Sequence, residues 1–232
     1  MLPRPVEAVV FDMDGLLVDS EAMYRDCMTL VAERYGRELP LSVYRSMIGL
    51  THPESRRNAV AHFGEEFPFD AYLADVWAEA SRHHDVGVPL KAGAAELLDY
   101  LESEGLPCAV ATSSRHRVVE LQLGAKGLLS RFRAVVAAGD YARGKPDPEP
   151  FLTAAQKLGI EPAACLALED SYNGVRAAHA AGMMTVMVPD LLDPTDEMHA
   201  LCVTVAQDLH GVRRLLEMAP VLRQKARPAS AG

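Results

Sequence analysis

Cysteine is scarce in this chain. Cys27, Cys108, Cys165 and Cys202 lie far apart and none belongs to a C-x-x-C pair, which excludes the common zinc ribbons and fingers. Cys108 and Cys165 sit inside apolar, strand-like runs and read as small core residues. The thiols are expected to be reduced, in a cytoplasmic protein. A basic n-region followed by an apolar h-region is missing from the start, so no secretory signal is expected. No apolar run is long enough to cross a bilayer, and no membrane partner is expected. Basic charge is also short: 23 Lys and Arg against 32 Asp and Glu give a net charge of -9. That balance speaks against a nucleic-acid partner, which needs a basic face. An anionic substrate remains compatible, because a cation and a few basic residues can invert the sign inside one cleft. No internal repeat is present, and nothing in the sequence asks for an obligate oligomer, so a monomer is expected.

What is present is enough apolar sequence for a core. The 232 residues are 49% hydrophobic and 24% charged, as suits one large domain or a core with an insertion. Residues 8–11 read as a buried strand. Asp12 and Asp14 follow at its C-terminal end, and Gly15 lets the backbone turn. In an open α/β sheet ligands sit at that end of the strands. Two carboxylates one residue apart repel unless a cation or a shared proton intervenes. Mg²⁺ with a phosphate nearby satisfies them, since this ion takes one or two carboxylates plus phosphate oxygens. Taken alone, the same acidic pair is also a common turn sequence.

Periodicity sets out the rest. Ser20 is a candidate cap for a helix over residues 21–35, and a short helix fits 42–48. Thr51-His52-Pro53-Glu54 has capping-box spacing and opens a helix ending near Phe63 and Gly64. A fourth helix is expected over 69–84. Four helices without a strand read as an insertion into a sheet. The α/β alternation then resumes. Helices are expected over 93–103, to about 123, over 148–158 and over 171–181, with a last one capped by Asp208. Strands are expected over 107–111, 134–138, 165–168, 183–188 and 203–206. Strands alternating with helices imply parallel pairing. Residues 224–232 read as a frayed tail. The fold class expected is thus α/β, a Rossmann-like doubly wound parallel sheet with an inserted helical domain. The core comprises 1–19 and 90–232, and the insertion 20–89.

Polar residues then collect at one sheet edge: Asp12 and Asp14, Thr112 and Ser113, Lys145 in its loop, Glu169 and Asp170. Together they suit phosphoryl transfer. One carboxylate can attack phosphorus, and a second can protonate the leaving oxygen and later deprotonate water. A divalent ion neutralises the phosphoryl oxygens. Hydroxyls and backbone N–H groups after a strand hold the remaining oxygens. Lysine adds a compact positive charge. Each residue alone has another reading. Thr112 fits a helix cap, Lys145 an exposed loop, and Glu169-Asp170 a solvated helix start.

With these motifs in order, the chain resembles the haloacid dehalogenase superfamily, in its β-phosphoglucomutase-like and sugar-phosphate phosphatase branch. The resemblance rests on Phe11-Asp12-Met13-Asp14-Gly15, Thr112, Gly144-Lys145-Pro146-Asp147-Pro148 and Glu169-Asp170-Ser171. It implies that Asp12 is the nucleophile and Asp14 the general acid/base, and that Thr112, Ser113 and Lys145 bind the phosphoryl group. It implies Mg²⁺ held by Asp12, the Asp14 carbonyl, Asp170 and Glu169, the last directly or through water. It also implies a helical cap after the first motif, with a substrate-contacting loop near Thr51 and His52. Relatives that cleave phosphonates use a cap lysine, and residues 21–88 contain none. β-Phosphoglucomutases carry a histidine early in the first cap helix, where this chain has Tyr24. The expected activity is therefore hydrolysis of a small phosphorylated metabolite, a sugar phosphate for preference, with a phosphomutase or a non-catalytic phospholigand-binding relative as alternatives. The cap arginines Arg25, Arg34, Arg37, Arg45, Arg56, Arg57 and Arg82 are candidates for a second phosphate or for solvated surface.

Overall fold

In the computed structural model, residues 2–48, 50, 52–84 and 88–219 are described. Six strands form one parallel sheet: β1 (Ala8–Phe11), β2 (Cys108–Arg115), β3 (Ala134–Ala138), β4 (Cys165–Glu169), β5 (Met184–Met187) and β6 (Thr204–Val205). Their order is β3-β2-β1-β4-β5-β6. The chain reverses direction across the sheet between β1 and β4, and that reversal opens a crevice at their C-terminal ends. The Asp12 N–H donates to the Leu168 carbonyl at 2.9 Å, carrying the pairing of β1 with β4 one residue beyond the strand.

Alternation along the strands builds two cores. Val9 and Phe11 face one side with Val110, Leu166 and Leu168, under α5 (Ala94–Glu104) and α10 (Leu209–Glu217). Ala8 and Val10 face the other side with Ala109, Ala111 and Ala167, under α7 (Glu149–Leu158) and α8 (Tyr172–Ala180). Small strand residues let Phe151 of α7 sink fully into that layer. Truncating such a ring costs about 3–5 kcal/mol.

Four helices follow β1 before the sheet resumes: α1 (Ser20–Arg34), α2 (Leu41–Arg45), α3 (His52–Phe63) and α4 (Phe69–His84). They close around their own core of Cys27, Val31, Tyr44, Phe63, Phe67 and Tyr72. Edge-to-face rings such as Tyr35 against Tyr72, 6.0 Å apart, lock it. The two connections to the sheet pair with each other. Asp19 N–H donates to the Pro89 carbonyl and Lys91 N–H to the Leu17 carbonyl. Lys91 Nζ also reaches Asp190 at 2.7 Å and Asp19 at 3.5 Å.

Several local expectations are corrected. Ser20 is the first residue of α1, not its cap, and its buried Oγ has no hydrogen-bond partner. Asp19 stands at the cap position and offers its carboxylate to Lys91 instead. Strand β2 runs four residues beyond the expected end, through Thr112, Ser113 and Ser114. The helix after it, α6 (His116–Val119), continues as a π-turn over Glu120–Gly124. Helix α9 (Asp196–Leu201), capped by the Thr195 hydroxyl, was not foreseen. Asp208 caps α10 as expected, accepting from the Gly211 N–H, and Ser171 caps α8 by accepting from the Gly174 N–H. Thr51 and the tail at 224–232 lie outside the described residues. Among the described residues no helix is long and apolar enough to cross a membrane.

Candidate active site

The crevice between β1 and β4 gathers the expected residues. Asp12 and Asp14 follow β1, Thr112 lies on β2, Glu169 ends β4 and Asp170 follows it. Asp12, Thr112, Glu169 and Asp170 are buried. Gly15 adopts φ +78°, and a side chain there would strike the Asp170 carboxylate. A residue with a Cβ is excluded on both counts.

Lys145 is the electrostatic centre. Its Nζ donates to Asp12 Oδ1 and to Glu169 Oε1. Burial alone would lower the lysine pKa, but Asp12 and Glu169 overcome it and hold the ammonium charged, above its ordinary value. For Asp12 burial pushes the carboxyl up and Lys145 pulls it back, while Glu169 and Asp14 add repulsion. The lysine is therefore no exposed loop residue. It is the counter-ion that lets two acids sit in a dry site.

Glu169 is saturated. Beyond Lys145, its Oε2 accepts from the N–H groups of Asp170 and Ser171 at 3.1 Å each and from Ser171 Oγ at 3.0 Å. Asp170 has no such support. Burial raises its pKa well above the ordinary carboxylate range, with Glu169, Asp12 and Glu21 adding to it. Carboxylate oxygens of Asp12, Glu169 and Asp170 lie within 4.8 Å of one another. One lysine opposes three buried acids, and the donors are all oxygens, as a hard divalent cation requires.

Asp14 is gripped on one side. Ser114 Oγ donates to its Oδ2 at 2.7 Å, and Thr112 Oγ1 lies 3.4 Å from the same oxygen. Its Oδ1 is buried without a hydrogen-bond partner among the described residues, an acceptor left for a ligand or water to meet. Thr112 Oγ1 also accepts from the Ser114 N–H at 3.0 Å. Ser113 is exposed on the cleft wall. Tyr141, whose hydroxyl donates to the Thr112 carbonyl at 3.0 Å, lines the same wall.

The cleft is about 580 Å³, ample for a metabolite. The helical layer supplies its other half, including Glu21, Tyr24, Tyr44, His52 and Trp77. Tyr44 Oη donates to Glu21 Oε2 at 2.6 Å. Burial raises the Glu21 carboxyl to about 7, opposed by that hydrogen bond and assisted by Asp14 and Asp190. The His52 ring packs against Phe69, and its Nε2 lies 3.5 Å from Asp70. No arginine is among the described lining residues. Arg34 and Arg82 pair with Glu79, and Arg25 with Asp26. Ser114, Glu21 and Tyr44 were missed in the sequence. Only Ser114 carried a signal there, its place two residues from Thr112.

Residues 9–188 match the family described as haloacid dehalogenase-like hydrolase. The chain belongs to that family. Several relatives that match it over most of their length are named phosphatases, and this chain is a phosphatase-type member. It is 36% identical over 200 residues to a Drosophila melanogaster protein named "Probable pseudouridine-5'-phosphatase", covering 81% of this chain and 83% of that one. It is 30% identical over 178 residues to the phosphorylated carbohydrates phosphatase of Thermotoga maritima, covering 77% and 82%. Among solved structures, a haloacid dehalogenase family hydrolase from Deinococcus radiodurans with bound phosphate and sodium superposes with a TM-score of 0.77. The two are 28% identical, over 95% of this chain and 99% of that one.

Proposed function

We propose that this haloacid dehalogenase-like protein is an Mg²⁺-dependent phosphomonoesterase that works through an aspartyl phosphate on Asp12. Its substrate is a small phosphorylated metabolite, a sugar phosphate or a derivative of one. The observation that carries the reading is the pairing of buried Asp12 with Lys145, beside an Asp14 held at one oxygen and left without a partner at the other. Binding a phosphate needs neither carboxylate. Relatives named for pseudouridine 5'-phosphate and for phosphorylated carbohydrates support the substrate class.

In this reading an Asp12 carboxylate oxygen attacks phosphorus and the ester P–O bond breaks. Asp14 gives its proton to the departing alkoxide. It then takes a proton from the water that attacks the aspartyl phosphate, which releases phosphate and restores both acids. Lys145 neutralises the attacking carboxylate and the incoming oxygens. Thr112 and Ser113 offer hydroxyls to the phosphoryl group. Asp12, Asp170 and the Asp14 carbonyl would hold Mg²⁺, with Glu169 positioning Lys145 and the β4 turn. The ion, when bound, supplies charge neutralisation at the phosphoryl oxygens. Residues 20–89 would act as a cap that excludes water, hinged where the two linkers pair.

Hydrolysis is preferred to mutase chemistry because of Tyr24. Burial, with Asp14 and Glu21 adding to it, holds its phenol neutral and above its ordinary pKa. A neutral phenol cannot supply the imidazole acid–base chemistry that the resemblance places there in mutases. The test is phosphate release from a panel of sugar phosphates with Mg²⁺, with EDTA, and with Asp12→Asn. The reading expects release only from the wild type with metal. Equal release by Asp12→Asn would remove it.

A further inference from the structure

The wall of the cleft opposite the carboxylates is almost wholly apolar. Among the described residues that the helical layer contributes, only Glu21, His52 and Ser55 are neither apolar nor aromatic. Of that lining, Tyr24, Met28, Leu50 and Leu73 are half-buried and Trp77 is exposed. These side chains are not sealed in the layer's own core, and Trp77 is 50% exposed. Its ring meets Tyr24 edge-on, 5.5 Å between centroids. A contiguous apolar face turned toward a catalytic crevice is a ligand surface rather than stray exposure.

Charge excludes one class of occupant. A second phosphate would need a cation, and the described lining offers only Lys145 and His52. Lys145 is held by Asp12 and Glu169, and His52 stands beside Asp70. A distal dianion would instead meet Glu21, the one carboxylate among the described lining residues of the helical layer. Hydroxyl-rich tails fare poorly too, since an apolar wall returns few hydrogen bonds for the water they lose.

We infer that the substrate is a monophosphate ester whose alcohol carries a planar, apolar or aromatic ring, and that this ring lies against Tyr24, Leu73 and Trp77 while the single phosphate reaches Asp12. This rests on the phosphatase reading above and narrows it. The wall then acts as the specificity element. Stacking and desolvation of a ring raise affinity without any new charge.

Trp77 is the only tryptophan in the chain, so its emission reports ring binding even where nothing is hydrolysed. The probes are benzylphosphonate, methylphosphonate and inorganic phosphate, each with Mg²⁺ and wild-type protein. Benzylphosphonate is expected to shift Trp77 emission to shorter wavelength and to bind at least about tenfold tighter than methylphosphonate. An equal shift with phosphate or methylphosphonate means that the wall meets the core on closure, which overturns the inference. No shift with benzylphosphonate overturns it as well. Kinetics give the second arm, with uridine 5'-monophosphate against ribose 5-phosphate and ribulose 1,5-bisphosphate. The first pair shares its leaving oxygen and differs in the ring. The ring is expected to raise kcat/KM at least about tenfold, and Trp77→Ala to bring that ratio down toward one. Equal or better turnover of the bisphosphate or of ribose 5-phosphate contradicts the inference while leaving the phosphatase intact. If no ester and no acetyl phosphate is cleaved, the phosphatase reading fails, and the emission shifts still decide the ring.

Discussion

Ser114 donates its hydroxyl to Asp14 across a hundred residues of chain, at 2.7 Å. The two sit on neighbouring parallel strands β2 and β1, or just beyond them, and this bond fixes one carboxylate oxygen while the other is buried without a partner. Ser114→Ala should therefore free the Asp14 side chain without touching substrate. A hydrogen bond to a charged group is worth about 1.5–3 kcal/mol. The expected result is a fall of about tenfold to a hundredfold in kcat with KM nearly unchanged, checked by steady-state kinetics. A change confined to KM would place Ser114 in substrate binding instead.

Lys145→Met should be the most damaging single change at the site. It leaves Asp12 and Glu169 buried without their counter-ion. Breaking such a pair costs about 3–5 kcal/mol. Urea unfolding should show that loss, together with loss of activity.

Mg²⁺ should stabilise the fold even without substrate. Three buried acids against one lysine leave a charge imbalance that a divalent ion relieves. At a hundred times its Kd the ion should add about 2.7 kcal/mol. Thermal melts with and without EDTA check this, and Asp170→Asn should abolish the difference.

Gly174 is the first-turn residue of α8 whose added Cβ would fall on the Glu169 carboxylate. Gly174→Ala should displace Glu169, loosen Lys145 and lower both melting temperature and kcat, although alanine favours helices. Melting and kinetics measured on one preparation test it.

Asp140, next to Tyr141 of the cleft wall, contributes to acid stability. A hydrogen bond from His116, with further support from Lys157 and the Ala137 N–H, lowers its pKa from 3.8 to about 2. Because the folded value is the lower one, the stabilisation is full above about 4 and is lost as pH falls toward 2. After allowance for solvent screening, about 1 kcal/mol is expected. Asp140→Asn should flatten the urea midpoint against pH across that window.

The polar cluster at the sheet edge was legible because each piece is local. A strand, a turn and an acid lie within a few residues at Asp12, and again at Glu169. Ser114 was not seen because hydroxyl residues read as a turn, so β2 was ended at Ala111. The strand continues with a register shift against β3 between Ala111 and Arg115, and Thr112 and Ser114 both reach Asp14 Oδ2. Glu21 with Tyr44 joins residues 23 apart on two helices, which no local pattern reveals. The helical layer was legible as helices, but which face lines the cleft was not. Its arginines left a second-phosphate site and solvated surface both open, and the described lining holds aromatic and apolar residues but no arginine.

The central claim is that Asp12 carries the phosphoryl group. Acid quench during turnover with Mg²⁺ and acetyl phosphate, followed by peptide mass mapping, tests it most directly. The account predicts one phosphoryl mass on the peptide that holds Asp12, absent in Asp12→Asn and accumulating when Asp14→Ala slows attack by water. Phosphate release with no covalent label, or with the label on another peptide, would contradict it.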